Sequence, residues 1–374
     1  MNLAKYTLLT LCFIASALCS ADTIKVEKTS YSASILKVGT GQPAIAATDL
    51  NSDGNQDVII ANNSDNNIVT YLSNGNGTLT PAGDFPAGDS PSGLSTSDIN
   101  GDGNIDVVIA NHETSYVTML FGNGKGGFYP APNSPLSVQV TPHPHVVRLS
   151  DLDGDSKVDL IVDNRNHEGL LILKGHGNGD FKLPGKTVKV GGDPYRGFAI
   201  KDLNKDGHSD LVTPNQNDIG ILINNKSGKN PFSLNNLTQS EAPFTVEVAD
   251  TNGDGNMDLL VANNLNVITI IPGDGSGSFL KKKQVEIQAS NGAKQIATGD
   301  INGDDIDDAL ISSWSGEILV LIGGSTIKSI KFKNTNIPNP WGVALLDLNK
   351  DGKSDFIVAD GNSNLAAVYI SQIE

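Results

Sequence analysis

An all-β chain, built as a seven-bladed β-propeller with four-stranded blades, is predicted by three observations. One aspartate-rich loop recurs seven times, a full repeat carries four short strand signals, and no stretch has amphipathic helical periodicity. The loops start at Asp49, Asp98, Asp151, Asp202, Asp250, Asp300 and Asp347, so successive starts lie 49, 53, 51, 48, 50 and 47 residues apart. So regular a period belongs to a stacked or radial array, and four-stranded units set radially leave only short, protected strand edges.

The first element is residues 1–21, with Lys5, an apolar run from Leu8 to Leu18 and small residues at Ser20 and Ala21. This is the pattern of a cleaved secretory signal peptide, which leaves 22–374 as a single propeller domain, secreted or periplasmic. The run is shorter than the roughly 20 apolar residues that span a bilayer, and no later stretch reaches that length. Leu18 is too large for a lipoprotein signal ending at Cys19. Cys12 and Cys19 both fall in this segment, so the mature chain is expected to hold together without disulfides in an oxidising compartment.

Each repeat then reads in one order. A first strand, such as Pro43 to Thr48 or Pro144 to Ser150, leads into the loop. The second strand is a short run rich in β-branched residues: VIIAN, VVIAN, LIVDN, LVTPN, LLVAN, ALISS and FIVAD. A third strand follows (Ile68 to Leu72, Val117 to Phe121 or Val267 to Ile271), then a glycine-rich turn such as GNGKGGF or GDGSGSF and a fourth strand. The last repeat ends after its third strand, at Ile370, whereas Ser34 to Val38 precede the first loop without a repeat of their own. Pairing that N-terminal strand onto the last blade closes the ring.

The loop itself is a set of hard oxygen donors. Position one is Asp49, Asp98, Asp151, Asp202, Asp250, Asp300 or Asp347, and position three is Asn51, Asn100, Asp153, Asn204, Asn252, Asn302 or Asn349. Position five is Asp53, Asp102, Asp155, Asp206, Asp254, Asp304 or Asp351. The position-seven carbonyl belongs to Asn55, Asn104, Lys157, His208, Asn256, Ile306 or Lys353, and position nine is Asp57, Asp106, Asp159, Asp210, Asp258, Asp308 or Asp355. Alternating donors on a tight turn suit calcium, which takes six to eight oxygens. An EF-hand would need an acid at position twelve and flanking helices; that position holds Ile60, Ile109, Val162, Thr213, Val261, Ile311 and Val358, all in strand runs. Glycine at position six permits a left-handed backbone, and Ser156 and Asp305 replace it in the third and sixth loops.

These seven DxNxDGxxD-type loops and glycine turns resemble the FG-GAP and VCBS repeats of integrin α-subunit heads and secreted bacterial proteins. One turn, Phe121-Gly122-Asn123-Gly124, keeps the Phe-Gly of that family. The resemblance covers nearly everything after the signal segment. It implies calcium between the first and second strands of each blade, up to seven structural ions, and an extracellular binding role; it implies no particular ligand.

The net charge of −16 has a local origin, because 22 of the 42 acidic residues stand at donor positions of the loops. Without basic clusters, and with only three arginines, the chain is a poor partner for nucleic acid or anionic membrane. The partner expected is a glycan or an extracellular protein, bound by a monomer.

Strand direction puts the loops on one face and the fourth-to-first and second-to-third connections on the other. On that other face fall His112, His145, Arg165, Tyr195, Arg196, Phe244, Lys294, Trp314 and Trp341. All three arginines and all six histidines lie between residues 112 and 208. Three readings stand side by side. These residues are ordinary loop and channel lining, with Arg148 facing Glu247; or the aromatics stack on sugars or partner side chains while Arg and Lys read acidic groups; or His145, Tyr195 and Arg196 serve a polysaccharide lyase. His143-Pro144-His145 hints at a transition metal but supplies only two ligands.

Overall fold

The computed structural model describes residues 23–195, 197–226, 231–238, 243–263, 266–289 and 292–372. The predicted signal segment and Arg196 lie outside the described residues.

The chain is a seven-bladed β-propeller of antiparallel sheets. The innermost strands of blades one to seven are Ala44–Thr48, Pro91–Ser97, Val147–Ser150, Ala199–Lys201, Pro243–Ala249, Ala293–Gly299 and Pro340–Leu346. The second strands, Asp57–Asn62 and its counterparts, are buried along their whole length. Neighbouring blades cover both of their faces, which is why they read as unbroken apolar runs rather than alternating ones. Among the described residues the helical elements are two three-residue 3-10 turns, Arg165–His167 and Lys281–Lys283.

The core is divided. Seven apolar clusters sit one at each blade interface; that between blades two and three holds Val108, Met119, Val147, Leu160 and Leu173, and that between blades seven and one holds Val58, Ile60, Ile357 and Val368. Each buried Val, Leu or Ile contributes about 1.5–3 kcal/mol, so stability is spread around the ring.

Ring closure follows the predicted scheme. Thr29–Lys37 pairs antiparallel with Leu365–Ser371, from Tyr31 opposite Ser371 to Lys37 opposite Leu365. The Tyr31 hydroxyl, buried between blades six and seven, donates to the carbonyl of Ile301 at 2.6 Å. Two features differ from expectation. Thr23–Val26 folds back on Thr29–Lys37 and gives blade seven a fifth strand. The outer strand of blade two is split into Phe128–Pro130 and Leu136–Ser137, both paired to Tyr116–Gly122. Pro130, Pro132 and Pro135 lack the N–H that a continuous ladder needs.

The glycine turns join blades. The amides of Gly77, Gly179 and Gly324 donate to the carbonyls of Leu348, Ile99 and Thr251, each at 2.8 Å and each at position two of the preceding blade's loop. Gly179 has φ +85°, and a Cβ there would stand 2.3 Å from the Phe121 ring. No larger residue fits that approach.

Candidate functional site

Every loop folds in the same way. The position-six amide donates to the position-one carboxylate in all seven, at 2.7–2.9 Å. The position-nine aspartate is buried in each blade, and one of its oxygens accepts the position-two amide. Its other oxygen accepts an amide at the end of the third strand: Ser73, Gly122, Gly175, Asn224, Gly273, Gly323 or Ser371. Position nine is therefore also the clamp that fixes the loop to its blade, a role that spacing alone does not reveal. Left-handed backbone occurs at position six, including Ser156 at φ +65° and Asp305 at +64°, and also at position four, as at Ser52, Lys205 and Lys350.

The donor set fits a hard cation. Burial, reinforced by Asp102 and Asp98 and by Asp304 and Asp300, raises the carboxyls of Asp106 and Asp308 to about 6 and about 7. Burial raises Asp355 to about 6 and shifts Asp57, Asp159, Asp210 and Asp258 the same way. A cation among them would relieve that cost. In the third loop, carboxylate oxygens of Asp151, Asp153 and Asp159 lie within 4.8 Å of one another. Lys174 pairs with Asp153 and holds its carboxyl below the usual range, which offsets the extra charge of that loop.

On the opposite face the sequence-predicted residues within the described part of the chain, which excludes Arg196, come together. A cavity of about 560 Å³ opens along the ring axis, lined by Ala44, Ser92, His112, His145, Lys294 and Trp341 among others. Two of its lining residues, His145 and Trp341, are the ends of an arc of rings, each the neighbour of the next: His145 and Tyr195 at 5.6 Å between centroids, Tyr195 and Phe244 at 6.0 Å, Phe244 and Trp314 at 6.1 Å, and Trp314 and Trp341 at 5.3 Å. The blade-one side, at Ala44 and Ser92 of its neighbour, carries small residues and leaves the arc open.

The cations are held by the arc. The Lys294 ammonium lies 4.9 Å from the Trp314 ring and 5.0 Å from the Trp341 ring, and donates to Asn339 Oδ1 at 2.6 Å and Pro340 O at 2.8 Å. Burial lowers its pKa to about 8. Arg165 stacks 4.3 Å over Tyr195 and makes a two-pronged contact with Asp193, Nε to Oδ1 at 2.8 Å and Nη2 to Oδ2 at 2.9 Å. Arg165 thus braces Tyr195 as well as presenting charge. Deeper in the channel, burial lowers the Arg148 pKa and raises that of Glu247, and each partly offsets the other's cost.

Of the six histidines, His112, His143 and His145 converge, whereas His176 and His208 lie on the loop face and His167 sits in the 3-10 turn of blade three. The Nε2 atom of His145 is 3.2 Å from that of His112 and 3.3 Å from that of His143. His145 Nδ1 faces Asp163 Oδ2 at 3.3 Å. Asp163 was detectable in the sequence, because LIVDN carries a carboxylate where the other blades have Ala61, Ala110, Pro214, Ala262, Ser312 and Ala359. The pairing of His112 with its neighbours was not, since it depends on how blade two abuts blade three.

Comparison with known proteins agrees with this architecture. Among solved structures, the BP39L lectin from Burkholderia pseudomallei superposes with a TM-score of 0.66 at 13% identity, covering 89% of this chain and 96% of that one. BBS1N, from its complex with ARL6DN in lead-soaked crystals, superposes at 0.59 with 12% identity, over 89% and 93% of the two chains. At such identities the likeness shows the fold. No curated protein matches the chain in sequence. No helix among the described residues is long and apolar enough to cross a membrane. The FG-GAP-like repeat matches five times, at residues 49–109, 98–162, 151–213, 202–261 and 250–311, each match running from the first aspartate of one loop to the second strand of the next blade. The chain therefore belongs to the FG-GAP-like repeat family.

Proposed function

We propose that this protein is a binding propeller that takes a glycan at the aromatic mouth, on a scaffold stapled by calcium at the opposite face. The observation that carries the reading is a 560 Å³ cavity with His145, Lys294 and Trp341 in its wall, joined to an arc of rings that runs from His145 to Trp341, with Lys294 held between two tryptophans. Trp314, the exposed ring of the arc, offers a stacking platform for a sugar face, and the lysine beside it would read a carboxylate or sulfate. The lectin among its structural neighbours is consistent with a glycan as ligand. Calcium would be held by side-chain oxygens at loop positions one, three, five and nine and by the position-seven carbonyl, where it supplies countercharge to the buried carboxylates. The apolar run from Leu8 to Leu18 supports action outside the cytoplasm, where calcium is abundant.

The binding reading is favoured over a lyase because His145 Nε2, the nitrogen that a substrate proton would have to reach, already faces two other imidazoles. It is poorly placed to take a proton from a substrate. Screening neutral and acidic glycans for binding, with ultraviolet absorbance followed on the acidic ones, separates the two. Saturable binding without absorbance gain supports the module; absorbance gain supports the lyase.

A further inference from the structure

We propose that His112, His143 and His145 form a zinc-type transition-metal site at the seam between blades two and three, with its fourth position open to the channel mouth. The site is chemically separate from the oxygen-lined loops on the other face.

The geometry is that of a tridentate imidazole site. His112 stands in the second-to-third turn of blade two, and His143 and His145 lie on the chain entering blade three, spaced i and i+2 around Pro144. The two Nε2 separations, 3.2 and 3.3 Å, match a tetrahedral ion with metal–nitrogen bonds of about 2.0–2.1 Å, which holds its ligand nitrogens roughly 3.3 Å apart. Ligand atoms of all three residues fall within 4.8 Å of one another.

The outer shell is built for the same task. Asp163 is fully buried, and its Oδ1 is fixed by the amides of His145 at 2.8 Å and Val146 at 2.9 Å. Its Oδ2 faces His145 Nδ1, which places the proton on Nδ1 and turns the Nε2 lone pair toward the other two imidazoles. A carboxylate behind a ligating histidine sets the tautomer in this way and strengthens the ligand. The other blades carry Ala, Pro or Ser at this strand position, so Asp163 belongs to the His145 segment and not to the repeat pattern: one oxygen fixes that segment's backbone and the other faces the imidazole. Three converging imidazoles without acidic ligands select zinc and its later first-row neighbours and reject calcium.

Three protein ligands leave a coordination position, and His112 and His145 both line the cavity. An oxygen of a bound ligand would enter there, which makes the metal one anchor of the mouth and the tryptophans the other.

The test is titration of the full mature chain with cobalt(II) and zinc(II) in saturating calcium, after stripping with a chelator. The visible bands of four-coordinate cobalt are followed together with calorimetric stoichiometry. One equivalent is expected to bind, to be displaced by zinc, to be lost in His112→Ala and in His143→Ala, and to weaken about 10- to 100-fold in Asp163→Asn. His112 and His143 are partly exposed, so those variants keep the fold, which an unchanged circular dichroism spectrum checks. Absence of stoichiometric binding to the folded wild type, or binding unchanged in both histidine variants, would overturn the proposal and leave the cluster as a proton-sharing triad.

Discussion

Trp314 and Trp341 meet edge to face, with ring centroids 5.3 Å apart and planes at 87°, although one leaves blade six and the other enters blade seven. They are the only two tryptophans of the chain. Indole emission therefore reports on the mouth alone, and a ligand there is expected to shift or quench it while calcium at the opposite face leaves it nearly unchanged. Trp314 is 42% exposed, whereas Trp341 is 7% exposed. Trp341→Ala should destabilise the fold by about 3–5 kcal/mol, as buried Trp truncations do. Trp314→Ala should move the melting temperature little, and denaturant melts of the two variants check the contrast.

Lys294 sets the pH dependence of the mouth. Its folded pKa, lowered by burial to about 8, lies below the usual lysine value, so between those two the unfolded chain binds more protons. Lys294 therefore adds stability as pH rises from about 8 through the ordinary lysine range. Its charge is lost over the same rise, so affinity for a carboxylated or sulfated ligand should fall between pH 7 and 9 at constant salt. Lys294→Met should remove that fall, which titrations at the two pH values would reveal.

The third loop carries a strained residue. Ser156 occupies position six at φ +65°, where five other loops have glycine. A left-handed non-glycine residue costs about 1–2 kcal/mol, part of which glycine returns as unfolded-state entropy. Ser156→Gly should stabilise the chain by about 1 kcal/mol, and Asp305→Gly by less, because aspartate tolerates this region better. Equilibrium denaturation with an unchanged m-value is the readout.

Calcium should act as a staple. Binding only the native state at 100-fold above Kd adds about 2.7 kcal/mol per occupied loop, so several loops together should raise the melting midpoint by roughly 10 °C or more. A scan with and without a calcium-selective chelator measures this, and an unchanged midpoint would sink the idea.

Much of the fold was legible because its signals are local and repeated. The loop DINGDGNID predicts a strand after Asp106 and a ring by its period, and the segment predicted at Ser34 to Val38 pairs through Lys37 with the open edge of blade seven, whose own repeat supplies only three strands. The mouth was legible as a face, since strand direction alone sends Tyr195, Phe244, Lys294 and Trp341 to one end. What escaped depends on contacts between blades or on single side chains. The approach of His112 to His145 needs the packing of two blades, the bracing of Arg165 by Asp193 needs a turn geometry, and Thr23–Val26 is a four-residue strand that stands outside the repeat. Position nine looked like one more donor, and its second role came from two amides that sequence spacing does not place.

On the proposed reading, ligand recognition resides at the aromatic mouth and not at the loop face. Titrating the calcium-loaded chain with glycans drawn from a binding screen, while following tryptophan emission, tests it most directly. A saturable change in emission is expected, with the affinity weakened at least about tenfold, or about 1.4 kcal/mol, in Trp314→Ala while the melting temperature is preserved. Saturable glycan binding that leaves tryptophan emission unmoved and survives Trp314→Ala would contradict it.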